Sequence, residues 1–238
     1  MTQYGLTKAK TEFSIKELLT VPHEGKRSAF GLGDYGSNLE SMSQTYSHPE
    51  TQEEISFRPA TASQSISAAV YGFGKGKSFD AKRDIFDSRW LQLGYIVRTP
   101  DGVFIDTQIQ DESQLKELLD HAEEVNGIYL IDDKVAFAPY HSFKREVQDA
   151  DTFAQGGLAR ALEHTRGKVA QNLRKIASPK HYKKGVNVYG FDDVKEPTLK
   201  VAGLYSGGGG DWLVVSGKNW GSGNYGYAFG VPYKKNST

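Results

Sequence analysis

Between Arg160 and Lys184 the chain holds eight cations (Arg160, Arg166, Lys168, Arg174, Lys175, Lys180, Lys183 and Lys184) against one acid, Glu163, a local charge of +7. Between Asp106 and Glu124 seven acids stand against Lys116 alone, a local charge of −6. The total of 29 basic and 29 acidic side chains therefore hides a polarised distribution. Leu158, Leu162, Thr165, Val169, Leu173 and Ile176 advance by 4, 3, 4, 4 and 3 residues, a helical period that predicts one long helix over 152–177. Arg160, His164, Lys168, Gln171 and Lys175 advance by 4, 4, 3 and 4 on the opposite face. A helix of about 26 residues is ~39 Å long, close to the ~34–36 Å of one duplex turn. Lysine and arginine on such a stripe attract phosphates because condensed counterions are released. Nucleic acid, DNA or RNA, is the expected partner, with Arg160, Lys168, Arg174, Lys175, Lys180, Lys183 and Lys184 on the backbone. The same stripe also fits a solvated surface, or a face paired with the acidic segment.

The second group is aromatic. Trp212, Trp220, Tyr225, Tyr227 and Phe229 lie among glycines near the C-terminus. Single-stranded nucleic acid is held by aromatic faces beside cations, at ~1–3 kcal/mol per stacked base. Trp220, Tyr225 and Tyr227 are the expected stacking residues. In a strand Tyr225, Tyr227 and Phe229 share one face, either open or buried as core. YGYAFG partly resembles the aromatic motif of RNA-recognition domains. Gly226, Tyr227, Ala228 and Phe229 match it, but Tyr225 replaces the basic residue and Gly230 the valine, so that domain is not assigned. GSGNYGYAFGV also resembles, over eleven residues, the C-terminal glycine-rich loop of CRISPR RNA-processing proteins.

Two enzyme readings compete. VYGFGKGKS resembles a Walker A loop and IYLIDD a Walker B strand. In that pairing Lys77 would reach the β- and γ-phosphates while Ser78 and Asp132 held magnesium. The loop is one residue short, because Tyr71 stands where the first glycine belongs. GLGDYG at 31–36 fits a dinucleotide fingerprint by letters only. Alternatively, Pro100-Asp101 followed by Asp132-Asp133-Lys134 spells a metal-nuclease pattern, with carboxylates on magnesium and lysine positioning a water. There Asp106, at a strand end, is a better carboxylate than Asp101. No cofactor is expected outside these two readings, where magnesium would serve. The histidines (23, 48, 121, 141, 164 and 181) show no metal-ligand spacing, although His121 or His141 could act as a general base.

Composition removes other classes. The chain has 238 residues and no cysteine, so disulfides, thiolate metal sites and cysteine nucleophiles are excluded. No stretch approaches the ~20 apolar residues of a membrane span. The N-terminal sequence lacks a signal-like apolar run, which favours a cytoplasmic location.

The elements that must position these groups suggest an α+β fold with a mostly antiparallel sheet of hairpins. Residues 1–53 read as a polar N-terminal arm for self-association, with a short helix at 14–20 capped by Ser14. Residues 54–145 read as a hairpin–helix–hairpin unit: a strand at 54–58, a helix capped by Ser63 or a strand at 63–71, and a hairpin around Thr99-Pro100-Asp101-Gly102. A helix over 111–125 is capped by Asp111 and ended by Asn126-Gly127, and strands flank Asp132-Asp133-Lys134. Residues 146–238 supply the basic helix and the strands VNVYGF, TLKVAGLY, WLVVSG and YGYAFGV, either as a separate domain or in one domain with 54–145. With the arm, the chain could instead be a coat or scaffold subunit.

Overall fold

The structure, a computed structural model, describes residues 6–7, 18–23, 26–43, 45–47, 54–73, 79–219 and 226–233. Its sheet grows from local hairpins. Proline at 100 and glycine at 102 turn the chain so that Thr99 N–H donates to Gly102 O at 2.9 Å. The strands Leu91–Arg98 and Gly102–Ile105 then pair antiparallel, Val97 opposite Phe104. Gly102–Ile105 also pairs with Ala136–Pro139, which folds back on Ile128–Leu130 around Asp132-Asp133-Lys134. The two hairpins follow the sequence expectation; the pairing that joins them is added by the fold.

The main path runs Leu6–Thr7, Leu18–His23, Lys26–Gly33, Gly226–Tyr233, Leu91–Arg98, Thr198–Gly207, Trp212–Asn219, Gly185–Tyr189, Val147–Gln148. Most pairs are antiparallel; Gly185–Tyr189 runs parallel to Trp212–Asn219. Strands from all three expected segments thus share one sheet. On one face the helices Ala62–Gly72, Gly157–Leu162 and Gln171–Ile176 bury Ile66, Leu158, Leu162, Leu173 and Ile176 against Leu91, Leu204, Leu213 and Phe229. Phe104, Phe137 and Val97 form a second cluster with Leu115 of the helix Glu112–Asp120, and Val201 and Ala228 a third with Tyr35 of the helix Tyr35–Ser41. Leu91–Arg98 is buried along almost its whole length, which is why it reads as a near-continuous apolar run.

Five expectations are corrected. The long helix 152–177 is three short ones, Ala150–Gln155, Gly157–Leu162 and Gln171–Ile176. Gly156 is extended at ψ 149° and His164 is left-handed at φ 48°. Glycine gives up more backbone freedom in a helix than other residues, so the Gly156-Gly157 pair is a natural break. The apolar spacing did predict burial, but it is satisfied by separate helices against one core.

The expected arm is, where described, ordered sheet and helix. Leu18–His23 pairs with Lys26–Gly33, which pairs in turn with Gly226–Tyr233. Leu18 and Leu19 therefore lie in a strand rather than the helix expected at 14–20, whose first four residues lie outside the described set. The helix over 111–125 stops at His121, and Glu123–Val125 pairs with Ile128–Leu130. Asn126 and Gly127, at φ 53° and 79°, form the two-residue hairpin turn that suits strand twist, rather than a helix cap. Finally, the helix Ala62–Gly72 is capped by Thr61, not Ser63, in a reciprocal box with Gln64.

Candidate functional site

The expected phosphate contacts are dispersed. Arg160 is 6 % exposed and points inward, where Nη1 donates to Asn126 O at 2.7 Å and Nε to Gln155 O at 3.1 Å. Arg166 pairs with Glu123, Arg174 with Asp151 at 2.6 Å and Lys184 with Asp211 at 3.1 Å. Lys168, Lys175, Lys180 and Lys183 are exposed. They lie on a bend, a short helix and a loop instead of one rod. Tyr227 is half-buried and, like Phe229, packs on the main core, so these two members of the aromatic face are engaged inside. Trp220 and Tyr225 lie outside the described residues.

The phosphate-loop context differs from its motif. A helix, Ala62–Gly72, precedes the glycine–lysine run where a strand is required, and Lys77 and Ser78 lie outside the described residues. Asp132 sits in an exposed hairpin turn and accepts from Lys134 and Val135 N–H at 2.8 and 2.7 Å. GLGDYG does follow a strand, Lys26–Gly33, and its Asp34 caps Tyr35–Ser41. The strand's neighbours are antiparallel, so no βαβ unit surrounds it. Asp101, His121 and His141 are exposed. Among the described residues no group of three His, Asp or Glu side chains is arranged to hold a metal.

One expected carboxylate does find a site. Asp106 follows the strand Gly102–Ile105 in a left-handed conformation, φ 60°, held by its N–H on Tyr95 O at 2.9 Å. That twist sends the carboxyl to the start of the helix Ala62–Gly72, where Oδ2 and Oδ1 accept from Ala62 N–H at 2.9 and 3.2 Å. The place is kept open by Gly94. A Cβ there would sit 2.5 Å from Asp106 Oδ1 and 3.7 Å from Tyr35 Oη, so carboxyl and phenol both border the space that this missing side chain leaves. Tyr35 packs edge-on to Tyr95, with ring centroids 4.8 Å apart. The cleft in front of them has a volume of about 410 Å³ and is lined also by Arg58, Thr61 and Lys134.

Electrostatics separate this carboxyl from the surface acids. The residue is half-buried by area, and its carboxyl is desolvated by what surrounds it. Burial pushes it up to about 7, helped by the Asp132 charge and opposed by Ala62 N–H and Lys134. Tyr35 is held well above the usual phenol range by burial first and then by Asp106. Near neutral pH the cleft thus offers a carboxyl that can take or give a proton, a protonated phenol, and two cations at the rim. Arg58 and Lys134 are both exposed enough to meet an anion entering from solvent.

Sequence reasoning named Asp106, but as a magnesium carboxylate of a nuclease, and missed Tyr35, Tyr95, Arg58 and Gly94. A glycine inside the apolar strand LQLGYIVR signals close approach of another group and could have pointed to the cleft. Tyr35 gave no such signal. Compared with known proteins, the chain matches no family model, no curated protein and no solved structure.

Proposed function

We propose that the Asp106 cleft is an acid–base catalytic site that moves a proton on a small, anionic substrate. The observation that carries this reading is that the Asp106 carboxyl and the Tyr35 hydroxyl both border the space above Gly94 and line one cleft with Arg58 and Lys134. Arg58 and Lys134 hold the substrate's negative group. Asp106 as carboxylate accepts the proton, and Tyr35 donates a hydrogen bond to the oxygen on which charge develops. The test needs no prior substrate: pools of small carboxylates and phosphate esters are incubated with the protein in D2O, and deuterium uptake is followed by NMR. Uptake with the natural protein and none with Asp106→Asn is expected. Absence of uptake across the pools, or equal uptake with Asp106→Asn, removes the proposal.

A second reading, contact with nucleic acid, is favoured by one observation. Lys168, Lys175, Lys180 and Lys183 are exposed, and among the described residues none of them forms a salt bridge. On this reading Lys168, Lys175, Lys180 and Lys183 meet phosphates in place of the expected rod. A gel-shift titration with single- and double-stranded DNA and RNA at two salt concentrations decides it. Binding must weaken steeply with salt; salt-independent binding, or none, rejects it.

A further inference from the structure

The helix Tyr35–Ser41, which supplies the phenol of the Asp106 cleft, is only seven residues long. A helix of two turns is marginal by itself, so its tertiary anchors decide where it sits. Asp34 holds its start through Ser37, whose N–H and hydroxyl donate to the two carboxylate oxygens at 3.1 and 2.7 Å. At its end Met42 seats on Gly230, where a Cβ would come within 2.7 Å of the Met42 Sδ. Between them lies Asn38, fully buried and on the same helix face as Tyr35, three residues earlier. Its amide spans the three neighbouring strands Lys26–Gly33, Gly226–Tyr233 and Leu91–Arg98. Nδ2 is 3.2 Å from Gly33 O, 3.1 Å from Gly226 O and 2.5 Å from Gln92 Oε1. Gln92 is itself buried, and its Nε2 donates to Gly33 O at 3.1 Å. It stands two residues before Gly94 and three before Tyr95. The Asn38–Gln92 bond thus ties the helix that carries Tyr35 to the strand that carries Gly94 and Tyr95.

This anchor is polar and not fully satisfied. Nδ2 has two hydrogens for three oxygens, and among the described residues the buried Oδ1 has no hydrogen-bond partner. A buried acceptor left unpaired costs stability. Turning the amide over would set Oδ1 against three other oxygens, so one orientation alone is accepted. Apolar contacts tolerate sliding, whereas a buried amide among directional partners fixes register at a cost in stability. We propose that Asn38 is a positioning residue of the Asp106 site, holding the Tyr35 hydroxyl beside Gly94, an assignment that rests on the acid–base reading of that site.

The test follows the Tyr35 ring by NMR in the full chain carrying isotope-labelled tyrosine, without substrate, its resonances identified by their loss in Tyr35→Phe. In parallel, kcat and KM are measured for any compound that takes up deuterium. Asn38→Leu keeps the volume and removes the donor. It should shift the Tyr35 resonances and lower kcat about tenfold, with KM unchanged because Arg58 and Lys134 still hold the substrate. Gln92→Met leaves Asn38 its two carbonyls and should shift the same resonances by less. Glu40→Ala, exposed on the same helix, should change neither. Unmoved Tyr35 resonances in Asn38→Leu, or a raised KM with kcat unchanged, overturn the proposal. Should Asn38→Leu fail to fold, unmoved resonances in Gln92→Met overturn it instead. If the natural protein exchanges no compound, the acid–base reading falls, while the substrate-free resonances still decide whether Asn38 holds Tyr35.

Discussion

Segment 160–184 carries eight cations, and the fold spreads them: Arg160 turns inward onto carbonyls, Arg166, Arg174 and Lys184 each meet a carboxylate, and the remainder face water. The Asp106 cleft holds one carboxyl, yet a helix start, a missing side chain, a phenol and two rim cations all converge on it. Charge in water is screened and solvated, so number counts for little there. Charge in a desolvated place is tuned by each neighbour, which is why functional groups gather where burial and convergence coincide. A run of charge in a sequence therefore says less about chemistry than one glycine that lets a carboxyl lie deep.

The widest gap between the two regions should appear in catalysis. Asp106→Asn keeps an oxygen to accept Ala62 N–H but cannot exchange a proton, so deuterium uptake should fall by ~10²–10⁴-fold. Alanine at Lys168, Lys175, Lys180 and Lys183 together should leave that rate unchanged. Parallel loss in both variants would erase the distinction.

Next in size is the dependence of stability on pH. Unfolded, Asp106 titrates near ~3.9; folded, it titrates at about 7. Between these values the folded chain keeps a proton the unfolded chain has lost, so this contribution favours folding most below the lower value. It declines as pH rises and levels off above the upper one, an effect of up to about 4 kcal/mol. Urea unfolding from pH 4 to 8 should show that slope in the natural protein and a flatter profile in Asp106→Asn. Identical slopes would place the titration elsewhere.

Within the basic segment, Arg160→Met should cost about 2 kcal/mol, because Asn126 O and Gln155 O lose their donor. Denaturant midpoints measure it, and a neutral result would return Arg160 to the surface. Gly94→Ala should cost about 1–3 kcal/mol, since its methyl competes with the Asp106 carboxyl for one space. It should also slow deuterium uptake without altering far-ultraviolet dichroism. The smallest effect is expected for the four-lysine variant, whose unfolding midpoint should match the natural protein. Its binding to an oligonucleotide, if any, should lose about one unit of salt slope per lysine removed.

Local pattern was enough for the elements that local chemistry decides. The turn Thr99–Gly102, the hairpin around Asp132-Asp133-Lys134, the cap at Asp111 and the four C-terminal strands follow from proline, glycine and alternation among near neighbours. The same reasoning misread Asn126-Gly127, because that dipeptide suits both a helix end and a hairpin, and only the pairing of Glu123–Val125 with Ile128–Leu130 chooses between them. It misread 152–177 because evenly spaced apolar residues satisfy one core equally well from one helix or from several.

Asp106 was visible as an acid at a strand end, but its depth depends on residues 62, 94 and 35, distant in sequence and brought together only by the sheet. Residue order along the chain settled where the backbone turns and which side chains seek the interior. Which charges lose water was settled by tertiary packing, since desolvation depends on everything that surrounds a group and not on its neighbours in the chain.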